Sequence, residues 1–427
     1  MEEIYINIEL LALIILAILI LGIKNRTFNL KLIKIVFIVI LLINPLQLFF
    51  NSASSTPLTD IALIVFSEVI LMQNLISIII KPNHNPVFQN SLVMITTCLI
   101  GIIFAVNFLI ITGWLAGLLL FILMNYFASG EPKVFKEYIP IIISFTVGII
   151  AFFIFSLFLT ILTGGNVLLN GEKVGFEIYV IILLFTIGTF GGIFPFNLLL
   201  NKFFKDSNFQ TLNIYMIVQY SLLFFLIRSI FLNITLILQF GLVFLIVGII
   251  GLSILIYNIY NELFFNYGRK PVSLRNLLGT LFILDFNCVI LLTSLLFFSE
   301  VPLILTFLNY IFFTFLAKFV IMVPLQYKMK KLNSNNLNKL GNIFYEKRFL
   351  GVFASLSGFI TAFPSSFLSF FIILNSLLSQ AIQSSVVLFS MVIMIMIAQV
   401  FYVITTIVGI TSISIKINFN KGNVKID

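Results

Sequence analysis

The chain has 427 residues, of which 61% are hydrophobic and 9% are charged, and its formal net charge is +9. A soluble globular protein carries about 25% charged residues, so this composition excludes a fold that is surrounded by water. Apolar stretches of about 20 residues, long enough to cross a bilayer, recur along the whole chain and lack the alternation typical of barrel strands. The sequence therefore predicts an all-α polytopic membrane protein.

About thirteen transmembrane helices are predicted, in chain order. They are 4–23, 31–50, 59–80, 89–106, 108–128, 137–163, 174–203, 209–231, 234–264, 272–298, 301–327, 346–377 and 383–414. We divide the chain into three N-terminal helices in 1–80, a helix core in 81–327, a basic polar loop in 328–347, and C-terminal helices with a basic tail in 348–427.

The basic residues predict the topology. Every second connection, starting with the one after the first span, holds 21 of the 24 Lys and Arg residues when the adjoining helix ends and the C-terminal tail are included, whereas the alternate connections hold only Lys173. Basic residues stay on the side from which a helix is inserted, so the N-terminus is predicted on the opposite side. The positive net charge thus reports membrane topology, and nucleic-acid binding is not expected.

Pro195 lies inside the predicted span 174–203, and Pro364 lies inside 346–377. Proline removes a backbone hydrogen bond and clashes with the preceding turn, so each helix is predicted to be kinked or broken there. The run Gly-Thr-Phe-Gly-Gly at 188–192 directly precedes the first break. Two interpretations stay open: a packing kink, or a broken helix that lines an ion or substrate path.

The charged residues inside the apolar spans include Glu68, Arg228, Asp285 and Lys318. Each costs about 2.5–3.5 kcal/mol at the centre of a bilayer unless it meets a partner or water. Asp285 and Lys318 lie mid-helix in consecutive spans and are predicted to pair, either as a structural ion pair or as part of a residual proton path. Arg228 is expected to reach towards the membrane surface, and Glu68 to contact a neighbouring subunit.

Catalytic and metal sites are not expected from the sequence. Cys98, Cys288 and His84 have no metal-ligand spacing, and no phosphate-binding loop or Ser-His-Asp set can be assembled. The sequence therefore predicts no metal, no redox cofactor and no soluble substrate for this chain.

Several segments resemble one known family. Residues 191–197 read Gly-Gly-Ile-Phe-Pro-Phe-Asn and are followed by Lys-Asp-Ser-Asn at 205–208. This segment resembles the seventh and eighth helices of the antiporter-like subunit 2 (bacterial subunit N type) of NADH:ubiquinone oxidoreductase, respiratory complex I. Further segments similar to that family follow in consistent order over about residues 1–410; they are 96–114, 135–138, 273–280 and 340–367.

The resemblance implies a membrane-arm subunit of the proton-translocating NADH:ubiquinone reductase, itself without redox chemistry. Its implied partners are the other membrane-arm subunits and bound phospholipids, while NADH, FMN, iron–sulfur clusters and ubiquinone are held by other subunits. The implied location is the mitochondrial inner membrane, with the N-terminus on the intermembrane side and the basic tail in the matrix. A prokaryotic plasma membrane is the alternative.

The sequence departs from the family at the residues that relay protons. The family uses buried Glu and Lys residues, but the corresponding positions hold Leu115, Phe190, Gln219 and Ser369, and Asn197 stands where the family has His. None of these side chains titrates near pH 7. The resemblance therefore implies a degenerate proton relay and a structural or conformation-transmitting role.

Two other function classes remain open. A stand-alone secondary transporter or polysaccharide flippase has a similar number of helices, but two related halves would be expected, and 1–210 shows no clear similarity to 211–427. A glycan polymerase or other lipid-linked enzyme would need a large loop with catalytic charges, and the longest polar interval is 328–347.

Overall fold

The structure is a computed structural model of the chain. It describes residues 2–23, 25–51, 58–80, 85–105, 108–128, 135–162, 176–206, 209–233, 238–265, 272–297, 304–332, 337, 341, 343–383 and 386–419. The chain divides into two compact units, of which the first comprises Met1–Ile187 and Asn213–Asn233 and the second comprises Gly188–Leu212 and Ile234–Asp427.

The predicted all-α fold is confirmed. In the first unit, and running on into the second, the helices are α1 Glu2–Gly22, α2 Arg26–Asn51, α3 Leu58–Ile80, α4 Pro86–Phe104, α5 Phe108–Ala128, α6 Phe135–Leu162 and α7 Phe176–Gly191. The helices that follow are α8 Asn197–Asp206, α9 Phe209–Asn233, α10 Leu238–Tyr260, α11 Leu274–Thr293, α12 Ile304–Leu332, α13 Ile343–Glu346, α14 Arg348–Ala362, α15 Ser369–Gln383 and α16 Val386–Phe419.

Ten helices among the described residues are long and apolar enough to cross a membrane, from Leu63–Ile80 to Val386–Asn418. Two shorter apolar helices, Leu10–Gly22 and Ile181–Gly191, coincide with two further predicted spans. The remaining predicted span, 31–50, lies within α2, whose first half carries Arg26, Lys31 and Lys34. The chain is a multi-pass membrane protein.

Helix α11 is the most enclosed element of the second unit. Every residue from 277 to 297 is buried, and the helix packs against α8, α10, α15 and α16. The side chains of α11 from residue 277 onwards reach neither lipid nor bulk water, so each polar group among them needs a partner inside the protein.

Pro195 and Pro364 have different structural effects. Around Pro195 the helix is interrupted: α7 ends at Gly191, α8 begins at Asn197, Gly192 has φ of 74°, and the Phe194–Pro195 peptide bond is cis. Around Pro364 the chain stays helical but widens into the π-helical turn Phe363–Leu368 between α14 and α15. Both outcomes follow from the missing proline N–H and its clash with the preceding turn.

Replacing Gly192 by Ala is expected to destabilise the break between α7 and α8. A left-handed backbone costs a residue with a side chain about 1–2 kcal/mol, and the added Cβ would lie 2.8 Å from Ile283 Cγ2 and from Leu200 Cδ1. The midpoint of thermal unfolding in mild detergent measures the effect.

The matched control is Gly113→Ala in α5, where an added Cβ meets nothing within 4 Å in the described part of the chain. Alanine favours a helix interior over glycine by about 1 kcal/mol, so this variant should not lose stability. Equal losses in both variants would contradict the strain assigned to Gly192.

Candidate functional site

A buried ion pair joins α11 to α12. Lys318 Nζ lies 3.0 Å from Asp285 Oδ2, and both side chains are completely buried. These two residues are the partners predicted from the sequence, because they lie mid-helix in consecutive spans. The pair removes the cost of leaving either charge alone in the interior.

The other carboxylate oxygen of Asp285 is held by the last helix. The hydroxyl of Tyr402 on α16 donates a hydrogen bond to Asp285 Oδ1 at 3.0 Å. Hydrogen bonds to charged groups contribute about 1.5–3 kcal/mol, more than those between neutral groups. Asp285 therefore ties α11 to α12 through one oxygen and to α16 through the other.

Cys288 lies one turn further along α11 and extends the group of buried polar residues around Asp285. We call this group, Asp285, Cys288, Tyr310, Lys318, Gln399 and Tyr402, the polar cluster. Its Sγ lies 3.1 Å from the hydroxyl of Tyr310 on α12, and Gln399 Nε2 on α16 donates to it at 3.1 Å. Tyr310, Cys288 and Gln399 are all buried. The same three helices are thus connected a second time, one turn away from the ion pair.

Helical spacing explains why these side chains meet. Asp285 and Cys288 are separated by three residues and lie on one face of α11, as do Gln399 and Tyr402 on α16. Asp285 pairs with Tyr402 and Cys288 pairs with Gln399, so α11 and α16 run antiparallel. Each helix contributes two polar residues to one shared interface.

Asn287 lies on a different face of α11 and binds the interruption between α7 and α8. Its Nδ2 donates to the carbonyl oxygens of Gly192 and Ile283, at 2.9 Å each. Its Oδ1 packs against Gly251 of α10, where an added Cβ would collide with it. At the helix break the carbonyl group of Gly192 lacks the backbone N–H donor that a continuous helix would supply, and the Asn287 side chain takes the place of that donor.

The arrangement favours a held ion pair over an exchanging one. Both oxygens of Asp285 are engaged by protein groups, and the Lys318 ammonium has no further hydrogen-bond acceptor among the described residues. A buried pair of this kind adds little net stability compared with apolar packing, but loss of one partner is costly. Its chemistry suits fixing the register of α11, α12 and α16.

Positions where the resemblance predicts a proton relay are all buried. Leu115 in α5, Phe190 in α7, Gln219 in α9 and Ser369 in α15 are at most 2% exposed. Ser369 donates its hydroxyl hydrogen bond to the carbonyl oxygen of Ser365 one turn earlier. At these positions the interior of the protein therefore holds side chains that do not titrate near pH 7.

The other charged candidates lie elsewhere. Glu68 is partly buried on α3, in the first unit. Arg228 belongs to α9, but its side chain lies outside the described residues, as does His84. Cys98 and Cys288 are buried free thiols in separate helices.

Four members of the polar cluster were not identified from the sequence: Cys288, Tyr310, Gln399 and Tyr402. Cys288 was considered only as a metal ligand, although its spacing of three residues from Asp285 placed it on the same helix face. Gln399 and Tyr402 have the same spacing in an otherwise apolar helix. That repeated spacing was the available signal, but it does not tell which helices face each other.

Replacing Lys318 by Met should destabilise the second unit by about 3–5 kcal/mol, because it leaves the buried Asp285 carboxylate without its counter-charge. The double variant Asp285→Leu/Lys318→Met should recover much of this loss. Thermal unfolding of the three proteins in the same detergent measures the coupling. Additive losses in the double variant would show that the two charges do not interact.

Replacing Tyr402 by Phe should lower stability by about 1.5–3 kcal/mol, because it removes a hydrogen bond to a charged group. Tyr310→Phe is the comparison variant, since Tyr310 is also completely buried but its hydroxyl contacts the Cys288 thiol and the Tyr402 hydroxyl instead of a carboxylate. We expect the smaller loss for Tyr310→Phe in the same unfolding assay. A larger loss there would contradict the central role of Asp285.

No protein-family model matches the chain, and a search of curated proteins also finds no match. Many solved structures are similar, and they include chains of three membrane complexes. A chain of respiratory complex I from Thermus thermophilus has a TM-score of 0.67 at 10% identity, over 97% of this chain and 90% of that one. A chain of the Mrp complex from Dietzia sp. DQ12-45-1b has a TM-score of 0.69 at 10% identity, over 97% and 79%.

The third similar structure is the membrane-bound sulfane sulfur reductase, an archaeal respiratory membrane complex. Its matching chain has a TM-score of 0.62 at 12% identity, over 94% of this chain and 86% of that one. All three structures are multi-subunit membrane complexes. At these identities the likeness shows the fold: this chain is an all-α polytopic membrane protein with the antiporter-like fold found in such complexes.

Proposed function

We propose that the chain is a membrane-arm subunit of a proton-translocating NADH:ubiquinone oxidoreductase, of the antiporter-like subunit 2 type. The likeness to a chain of respiratory complex I, over 97% of this chain, supports the proposal. The chain is then a non-catalytic subunit of the enzyme. Other subunits hold NADH, FMN, iron–sulfur clusters and ubiquinone, and the partners of this chain are membrane-arm subunits and bound phospholipids.

Within that assembly we propose a structural or coupling role with a degenerate proton relay. The observation that carries this role is the combination of buried, non-titrating residues at the relay positions, Leu115 and Phe190 among them, with an Asp285–Lys318 pair whose carboxylate is fully engaged. A proton relay needs groups that change their protonation state near neutral pH. A fixed ion pair instead needs an acid and a base that both stay charged.

A coupling role follows from the two faces of α11. Asp285 ties α11 to α12 and α16, and Asn287, on another face of α11, holds the carbonyl of Gly192 at the break between α7 and α8. Close-packed helices transmit displacements because side chains cannot interpenetrate. In the proposed role, a movement of α12 or α16 reaches the interrupted helix through α11.

For the location of the chain we propose the mitochondrial inner membrane, with the basic tail in the matrix. The Lys- and Arg-rich connections support the orientation, because basic residues stay on the side of insertion. In a prokaryotic plasma membrane the same connections would face the cytoplasm.

A second candidate is a subunit of another ion-translocating membrane complex. The likeness to a chain of the Mrp complex, with a TM-score of 0.69, favours it. This candidate shares the need for partner subunits but not the association with NADH oxidation.

The test is a native gel of membranes solubilised in mild detergent, probed for this chain and stained for NADH oxidation. We expect the chain in a large complex that oxidises NADH. A large complex without that activity would support the second candidate. Migration as a small monomer or dimer would support a stand-alone transporter or flippase instead, and would contradict the proposal.

Two substitutions test the coupling role in the assembled complex. Phe190→Leu should leave proton pumping unchanged, because an apolar residue already stands at this relay position. Asp285→Asn should lower the amount of assembled complex more than the turnover of each complex that does assemble. Proton pumping is measured per NADH oxidised, and a selective loss of pumping in Asp285→Asn would show that Asp285 carries protons.

A further inference from the structure

The stretch from 10 to 59, which includes most of α1 and all of α2, carries positive charge only. It contains four basic residues and no Asp or Glu. Three of the four, Arg26, Lys31 and Lys34, belong to α2. None of these three side chains forms an ion pair within the part of the chain that the structure describes. The described protein groups around α2 therefore leave its positive charge without a counter-charge.

Lys31 and Lys34 lie inside α2 and not at its end. The helix begins at Arg26, so at 1.5 Å per residue Lys31 lies about 8 Å and Lys34 about 12 Å along it. Lys31 is exposed and Lys34 is partly exposed, whereas Asn29 and Ile33 are buried. Both lysines thus project from the outer side of α2.

Large apolar side chains continue the same outer side of α2. Phe28 precedes Lys31 by three residues and Ile35 follows it by four, so both neighbour Lys31 on the helix surface. Phe28, Ile35, Ile38 and Leu42 are 45–65% exposed. In a multi-pass membrane protein, a row of exposed apolar residues on a long helix faces lipid chains. We call the following residues the lysine face: Phe28, Lys31, Lys34, Ile35, Ile38 and Leu42.

Two asparagine side chains hold the turn from which the lysine face begins. Asn25 Oδ1 accepts a hydrogen bond from the backbone N–H of Phe28 at 3.3 Å, which caps the start of α2. The buried Asn29 donates its side-chain amide to the carbonyl oxygens of Ile20 at 3.1 Å and Ile23 at 3.2 Å, at the end of α1. Rotation of α2 about its axis would break these bonds, so the lysine face keeps its orientation.

A lysine one to two turns inside a lipid-facing helix needs an anion at the membrane surface. Its methylene chain lies along the apolar face while its ammonium group reaches towards the lipid headgroups. A zwitterionic phospholipid balances its phosphate with its own amine, whereas an anionic phospholipid has negative charge left over. Three cations without a protein partner among the described residues therefore match the anionic kind.

We propose that the lysine face binds an anionic phospholipid from the leaflet on the side of the Lys- and Arg-rich connections. Its phosphate group lies between Lys31 and Lys34, with Arg26 nearby, and an acyl chain lies along Ile35 and Ile38. The inference names a lipid class and depends on the membrane placement of α2. It does not depend on the partner subunits of the chain.

Native mass spectrometry of the full chain measures the lipid selectivity. The chain is freed of its own lipids in a neutral detergent and receives phosphatidylglycerol or phosphatidylcholine at equal concentrations. The first phosphatidylglycerol should bind at least about tenfold more tightly than phosphatidylcholine, because only phosphatidylglycerol has an uncompensated phosphate. The difference should shrink as the salt concentration rises, since salt screens exposed charges.

The variant Lys31→Gln/Lys34→Gln removes the proposed contacts to phosphate. It should lower the affinity for phosphatidylglycerol at least about tenfold and leave that for phosphatidylcholine unchanged. Lys31→Arg/Lys34→Arg keeps both charges and should bind phosphatidylglycerol like the unaltered chain. The matched control is Lys347→Gln/Arg348→Gln, which removes the same charge from two exposed residues outside α2 and should leave the affinity for the first phosphatidylglycerol unchanged.

A phosphatidylglycerol with a photoreactive acyl chain maps the site on the unaltered chain, so this measurement does not require any variant to fold. Crosslinks should fall on Ile35, Ile38 or Leu42 and not on Ile33 or Phe37, which are completely buried. Excess phosphatidylglycerol should suppress these crosslinks, whereas phosphatidylcholine and inorganic phosphate should not.

Four outcomes would overturn the proposal. Equal affinity for the two lipids would show that the headgroup charge is not recognised. Equal losses in the Lys31/Lys34 and Lys347/Arg348 glutamine variants would show that binding follows net charge. Crosslinks outside α2 would place the lipid elsewhere, and suppression by inorganic phosphate would identify a soluble anion as the occupant. All four are measured on the isolated chain and are independent of whether it assembles with NADH-oxidising subunits.

Discussion

The structure of this chain depends on one constraint: a polar group placed in hydrocarbon must find its partner inside the protein. Helix α11 shows the consequence most clearly, because it is buried on all sides and carries a carboxylate, an amide and a thiol in four consecutive positions, 285–288. Asp285 meets Lys318 and Tyr402, Cys288 meets Tyr310 and Gln399, and Asn287 meets the carbonyl of Gly192. The packing of α12 and α16 around α11 follows these contacts.

The same constraint is met strictly for the buried charges and less strictly for the buried amides of the described residues. In the second unit the charges are paired directly, and both oxygens of Asp285 are engaged by protein atoms. Buried amides in both units, such as Asn74 in the first and Asn197 in the second, keep an atom without a hydrogen-bond partner among the described residues. Direct pairing of the two charges suits an interior that fixes helices in register.

The fold rests on helix packing, which many different sequences can provide. Chains with 10–12% identity reach TM-scores of 0.62–0.69 against it. Leu115 and Phe190 are buried apolar residues and contribute to this packing. A buried Glu or Lys is costly in a membrane, and it is retained only where its charge is used.

The sequence by itself determined the all-α membrane class, the approximate helix boundaries, the sites of Pro195 and Pro364, and the charges inside the spans. These properties follow from hydropathy, backbone chemistry and the cost of burying charge, which act along the chain. The tertiary structure decided which residues surround Asp285, that Asn287 binds the interrupted helix, and that Pro364 gives a π-helical turn where Pro195 gives a break. Those outcomes depend on which helix faces meet, and residues 285 and 402 are brought together only by packing, for which the linear sequence carries no local signal.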